Sequence, residues 1–347
     1  MAPAPRHAAF ATGWFSLLLS GTDDAWHNRG EIADMAKSLF FGGKGGVGKT
    51  SCATAYALGC AAAGWRTLLV STDPAHNLAD LFGRAPGPTP TRMQAGLDVV
   101  ELDPDHETQR YLEQVKATLR PLVSGERSAT VFRQLDLARH APGTEEAALF
   151  DALVGLLLDT GEKYDRLIFD TAPGGHTVRL LALPEIMGAW VEGLMQRRRK
   201  VRSDYKAWLG DGEVVDDPIQ ETLMRRRGRL AAAREHLTCP AHSAVILVAN
   251  PERLPALETA RTRELLESHG LHVGAVVINK CLPAEVDSQW LANWREEQRP
   301  WIEHLEASFP DRERIRIDHQ PHAPASCSDL APLQEALVRL APWHDHA

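Results

Sequence analysis

The sequence has no run of the roughly 18–20 consecutive apolar residues that crossing a bilayer requires, so stable membrane insertion is not expected. Cysteine is scarce: five among 347 residues, an odd and scattered set. That excludes a secreted disulfide framework and fits a reducing cytosol. An excess of positive charge is also missing. With 38 Lys and Arg against 46 Asp and Glu, the net charge is −8, which disfavours nonspecific nucleic-acid binding. No internal repeat and no low-complexity tract stands out, and 44% hydrophobic with 24% charged residues excludes wholesale disorder. The expectation is a soluble, cytoplasmic protein of two domains or one large α/β domain, long enough to bury its core without disulfides or metals.

Residues 10–19 follow Arg6 and His7 and look like a weak secretory apolar region, but Asp23, Asp24, Glu31 and Asp34 come next without a clear cleavage site. A second methionine, Met35, directly precedes the first strand-like stretch. Residues 1–34 are therefore read as a disordered extension or a start placed too early, and 35–347 as the functional chain.

What is present is an alternation. Short apolar runs at Leu39–Phe41, Thr67–Ser71, Val99–Leu102, Leu167–Phe169, Val245–Val248, Val273–Ile278 and Ile315–Ile317 read as buried parallel strands. Helix-length segments such as Thr50–Ala63, Glu145–Asp159 and Leu257–His269 separate them. This predicts βαβ units: an α/β fold with a doubly wound, mostly parallel sheet. Two stretches, at about 105–141 and 185–238, have helical composition and no strand, and are expected as a helical insertion subdomain. The second is basic, with 11 Lys and Arg against 7 Asp and Glu between Met195 and His236. Its clusters, Arg197 to Lys200 and Arg225 to Arg229, suit either a solvated helix face or a docking surface.

Gly43, Lys44, Gly45, Gly46, Val47, Gly48, Lys49 and Thr50 match the phosphate-loop pattern G-x-x-x-x-G-K-S/T between an expected strand and an expected helix. Backbone N–H groups of such a loop wrap phosphate oxygens, and the helix N-terminus adds its positive end. Lys49 would reach the β- and γ-phosphates, and the Thr50 hydroxyl would ligate Mg²⁺. Lys44 is a second lysine that the loop does not need for its own nucleotide, which makes it available to a nucleotide held across a dimer interface. Asp170 ends a buried strand where an α/β nucleotide site needs a Mg²⁺ partner, and Asp73 follows another strand aimed at the same loop.

On these blocks, over most of Met35–Leu340, the chain resembles the ArsA-type arsenical pump-driving ATPases and their relatives that target tail-anchored proteins. Phe41 to Ser51 is similar to the family's deviant Walker A loop, with Lys44 as its extra lysine. Val70 to Asn77 resembles the first switch, in which Asp73 would orient or activate the attacking water beside Pro74, His76 and Asn77. Asp170 to Leu181, with Pro173, Gly175 and His176, resembles the second switch, and Asn279 the adenine-contacting end of a late strand. The resemblance implies a P-loop fold with a helical subdomain and an ATP-gated homodimer that hydrolyses Mg·ATP. Asp73, Lys44 and Lys49 would be catalytic, residues 43–51 and Asn279 would bind ATP, and Thr50 and Asp170 would hold Mg²⁺.

The cargo is less legible. Soft As(III) needs two or three converging thiolates. Cys52 and Cys60 lie eight residues apart on one helix face and read as core, while Cys239, Cys281 and Cys327 show no ligand spacing. Gly143 stands where arsenite-binding members carry a cysteine, and Ser288 to Trp294 lacks the zinc-binding Cys-x-x-Cys of the targeting relatives. Ile186, Met187, Trp190, Val191, Leu194 and Met195, with Trp208 and Met224, form a helical apolar stripe that suits core packing or a hydrophobic client. The first expectation is the energy-coupling partner of a membrane efflux subunit for arsenite or another anion. The alternative is an ATP-switched carrier of a hydrophobic client helix. A partition-type regulatory ATPase ranks below both, because this chain reads Asp73, Pro74, Ala75 where those proteins have Asp-Pro-Gln.

Overall fold

A computed structural model of the chain describes residues 37–72, 78–120, 132–133, 135–137, 139, 141, 143–161, 163–172, 181, 218–283, 285, 288–337 and 340. The N-terminal extension and the apolar positions 186–195 lie outside them. β1 (Lys37–Gly42) is apolar except at its ends, and Leu39, Phe40 and Phe41 have no exposed surface. A strand hydrophobic on both faces must be covered on both, which is the setting of a parallel sheet. The other strands are β2 (Thr67–Ser71), β3 (Thr91–Gln94), β4 (Leu97–Glu101), β5 (Arg166–Asp170), β6 (Ser243–Ala249), β7 (Val273–Cys281) and β8 (Glu313–Asp318). They make one eight-stranded sheet in the order β3-β4-β2-β5-β1-β6-β7-β8. Every pairing is parallel except β3 with β4. The fold is α/β with a doubly wound, mostly parallel sheet.

All seven apolar runs are strands of this sheet. β3 was not anticipated: Thr91, Arg92, Met93 and Gln94 are half-buried to exposed on an antiparallel edge, so burial left no apolar run to read. β1 sits between β5 and β6, and the chain order runs away from it in both directions. Such a reversal leaves a crevice at the carboxyl ends of the strands, where open α/β sheets bind ligands.

The helices of this part are α1 (Lys49–Ala62), the short α2 (Leu78–Phe82), α6 (Arg253–Ser268), α7 (Gln289–Ser308) and α8 (Ala331–Leu337). α1 is buried almost throughout, from Cys52 to Cys60. Its Ala53, Ala55, Ala57 and Gly59 let the backbone approach the sheet, and Leu330, Leu333, Leu337 and Leu340 complete the same cluster. On the opposite side of β1, Phe40 stacks on its register partner Phe169, ring centroids 4.4 Å apart and nearly coplanar at 8°. Such a pair adds about 0.5–1.5 kcal/mol beyond its buried area. α6 begins four residues before the expected Leu257, since Pro255 fits a first helical turn. α7 and α8 were missed; α7 buries only Gln298 and Leu305 along its length, and it starts where the Ser288 hydroxyl accepts the Leu291 N–H at 3.2 Å.

A second compact unit holds α3 (Pro104–Leu119), α4 (Thr144–Asp159) and α5 (Pro218–Thr238). α4 buries Ala148, Phe150, Leu153, Val154 and Leu157. Within the basic cluster on α5, Arg226 donates to the Tyr111 hydroxyl at 2.9 Å and lies 3.7 Å from Asp151, while Arg225 and Arg227 are exposed.

Candidate nucleotide site

The loop between β1 and α1 can take its course only with glycine at its hinges. Gly43 has φ 152°, and a Cβ there would lie 2.2 Å from the carbonyl oxygen of Val248 on β6. Gly48, the residue before α1, has φ 96°, and a Cβ would lie 2.4 Å from the Asn279 side-chain nitrogen. Both carry conformations L side chains avoid, so the loop packs against two neighbouring strand ends without side-chain bulk. Lys49 opens α1 and is 4% exposed; its Nζ donates to the Lys44 carbonyl at 3.3 Å. Thr50 and Ser51 sit half-buried in the first turn, where unpaired N–H groups of a helix start favour an anion.

The neighbouring strands bring their ends to the same level. Phe41 of β1 is in register with Asp170 of β5, which is in register with Ser71 of β2. The Asp170 side chain is fully buried at this edge. The chains leaving β2 and β5 are bound to each other and to β1. Thr72 N–H donates to the Asp170 carbonyl at 2.9 Å, Ala172 N–H donates to the Thr72 hydroxyl at 3.2 Å, and the Thr171 hydroxyl donates to the Phe41 carbonyl at 2.8 Å. The expected switch residues Asp73, Pro74, His76 and Asn77, and Pro173, Gly175 and His176, follow directly but lie outside the described residues.

Two further residues converge on the loop. Asn279, at the end of β7, is 6% exposed and donates its amide to the Val47 carbonyl at 2.8 Å. The next residue, Lys280, donates to the Gly46 carbonyl at 2.9 Å. Lys44 points to α6, with Nζ 3.2 Å from Glu258 Oε1. Sequence reasoning missed Lys280, Glu258 and Thr72. A polar pair ending the otherwise apolar run of β7 was a usable signal for Lys280; Glu258 gave none, being one acidic residue on an ordinary amphipathic helix.

The donor set suits a hard cation beside a nucleotide. A threonine hydroxyl, a buried carboxylate and a glycine cradle that a Cβ would fill fit Mg²⁺ with phosphate oxygens. The thiols suit a soft ion poorly. Burial, with the Asp170 charge second, pushes the Cys52 thiol up to about 12. Burial pushes Cys60 up to about 12 and Cys281 to about 11, and raises Cys327. Cys52 and Cys60 are fully buried, as their spacing on α1 predicted. Among the described residues no helix is long and apolar enough to cross a membrane.

Comparison with known proteins agrees with this geometry. The family described as Anion-transporting ATPase matches residues 36–339. A protein of Aquifex aeolicus with the provisional name arsenical pump-driving ATPase 2 is 33% identical over 291 residues, covering 81% of this chain and 92% of that one. The arsenical pump-driving ATPase of Escherichia coli is 36% identical over 297 residues, 84% of this chain but 47% of that protein, so the chain spans about half its length. A Paramecium tetraurelia protein named ATPase ASNA1 homolog 1 is 32% identical over 254 residues, 71% of this chain and 75% of that one. The chain belongs to the anion-transporting, ArsA-type ATPase family and is an ATPase.

Proposed function

We propose that the chain works as a cytoplasmic homodimer whose Mg·ATP cycle drives a membrane efflux subunit for an anion. The observation that carries the reading is the alignment of Phe41, Asp170 and Ser71 at one sheet edge, beneath a loop that has glycine where any side chain would clash. Residues 43–51 would wrap the phosphates, and Lys49 would leave the Lys44 carbonyl for the β- and γ-oxygens. Thr50 and Asp170 would hold Mg²⁺, which when bound neutralises charge on the phosphate oxygens. Asp73, two residues beyond β2, would orient the water that attacks the γ-phosphorus while the bond to the β-phosphate oxygen breaks. The Thr72–Ala172 hydrogen bond joins the two residues after which the switch segments begin.

Lys44 would act on the nucleotide of the partner subunit. Its position supports this: it is the loop's half-exposed cation, and its ion pair to Glu258 is an open surface contact that can exchange for a phosphate. The arsenical pump-driving names of the relatives supply the cargo class, arsenite or another anion. The buried, raised thiols favour a second reading for the cargo alone, an ATP-switched carrier of a hydrophobic tail-anchored helix that needs no thiolate. ATP hydrolysis measured with arsenite or antimonite, then with a transmembrane-helix peptide, separates the two. Stimulation by the oxyanion alone supports efflux; stimulation by the peptide alone replaces it with the carrier.

A further inference from the structure

Successive residues of a strand point to opposite faces of the sheet, so Asn279 and Lys280 should not both reach the phosphate loop. They do, through a local fault in β7. Ile278 pairs with Arg316 and Cys281 with Asp318, three steps on β7 against two on β8, so one residue is extra. Lys280 sits in this bulge with φ 61°, the sole non-glycine residue at positive φ among the described residues. Bulges beside active sites re-aim side chains, and a left-handed lysine has to be held in place by its surroundings. Gln298 of α7, 3% exposed, provides the hold: its Nε2 donates to the Lys280 carbonyl at 3.1 Å, and its Oε1 accepts the Leu282 N–H at 2.8 Å.

The result is a row of tethered carbonyls. Lys280 holds the Gly46 carbonyl at 2.9 Å and Asn279 holds that of Val47 at 2.8 Å. A peptide plane whose oxygen is tied to one side presents the N–H of the following residue to the other, so these bonds fix the Val47 and Gly48 N–H groups on the side away from Lys280 and Asn279, where a phosphate could accept them. We propose that Lys280 is a positioning residue: it pre-forms the phosphate cradle before nucleotide arrives, through the Gly46 carbonyl and without touching phosphate. The role rests on the nucleotide-site reading above. The ordering of an exposed glycine peptide is otherwise a cost met at binding, so its prior fixation should appear in affinity more than in turnover.

The test is amide hydrogen exchange at residues 45–48 in the nucleotide-free full chain, together with steady-state ATP hydrolysis, for the parent, Lys280→Met and Lys280→Arg. Lys280→Met keeps the length and the left-handed backbone but has no donor. It should exchange the loop amides faster and raise KM for Mg·ATP about fivefold, with kcat changed by less than about twofold. Lys280→Arg, which keeps the donor, should restore both. Unchanged loop exchange and unchanged KM in Lys280→Met would overturn the proposal, as would a loss confined to kcat. If Mg·ATP gives the parent loop no protection, the nucleotide-site reading fails, while the exchange of nucleotide-free Lys280→Met still decides whether the clamp exists.

Discussion

Lys44 Nζ lies 3.2 Å from Glu258 Oε1, so the phosphate loop's second lysine is held by α6 of its own chain. Both side chains are well exposed, 37% and 49%, and such a pair contributes only about 0.2–1 kcal/mol. A nucleotide across a dimer interface can therefore compete for the lysine. Glu258→Gln should tighten ATP-dependent dimerisation by up to about fivefold, since the lysine no longer has to leave a carboxylate. Sedimentation with a non-hydrolysable ATP analogue measures it. A weaker dimer would mean that Glu258 supports the closed form rather than opposing it.

Gly43→Ala should damage the fold and the site together. Its Cβ would stand 2.2 Å from a backbone oxygen of β6, which cannot rotate away, at a φ that L residues avoid. A loss of about 2–4 kcal/mol in urea unfolding is expected, with Mg·ATP binding lost. Gly48→Ala meets the end of a side chain instead and should cost less in stability. Equal stability of Gly43→Ala and the parent would show that the loop is not wedged against β6.

Lys37 makes stability depend on pH. Burial, with Arg166 second, lowers its ammonium from 10.5 to about 7. The folded value lies below the unfolded one, so between about pH 7 and 10.5 the unfolded chain holds the extra proton and stability rises with pH. Below about pH 7 both states are charged and the burial penalty acts in full. Lys37→Met should raise the unfolding free energy measured in urea at about pH 6 by roughly a few kcal/mol, and the gain should fade toward about pH 10. A gain independent of pH would assign the effect to packing instead.

These tests concern features of unequal legibility. The buried parallel strands were readable because both faces are covered, leaving runs such as Val245 to Val248 apolar throughout. Thr91 to Gln94 was not, because an edge strand with one solvent face carries Arg92 and Gln94. The phosphate loop was readable because glycine at Gly43 and Gly48 answers a steric demand that local sequence states directly. Glu258 and Lys280 were not, since their roles arise from long-range placement: α6 brings one beside Lys44, and a bulge turns the other toward Gly46. The family resemblance implies an adenine contact for Asn279, and its amide donates to the Val47 carbonyl. That second tie to the loop has no signature in the residues around it.

A single subunit should bind arsenite weakly, and arsenite should stimulate hydrolysis measurably but only slightly. Thiols raised by burial hold their protons at neutral pH, and the metalloid reacts with accessible thiolate. Titration of the purified protein in the presence of Mg·ATP checks it. Stoichiometric binding abolished by Cys→Ser at Cys239 or Cys327 would reverse the expectation and make that thiol a metalloid ligand.

Asp73→Asn should bind Mg·ATP yet turn over poorly, because the water-orienting carboxylate is gone while the phosphate loop is intact. Lys44→Ala should also bind nucleotide and fail to hydrolyse it, for the opposite reason: its own site is complete and its partner's is not. The two defects therefore complement each other in one dimer. When the subunit carrying Lys44→Ala pairs with one carrying Asp73→Asn, the first subunit's site has both its own Asp73 and the partner's lysine.

ATP hydrolysis by an equal mixture of these two inactive variants is the most direct measurement of the cross-subunit claim. Random pairing makes half the dimers mixed, each with one working site of two, so about a quarter of the parental rate should return. A mixture as inactive as either variant alone would place Lys44 and Asp73 in service of the same nucleotide and contradict the account.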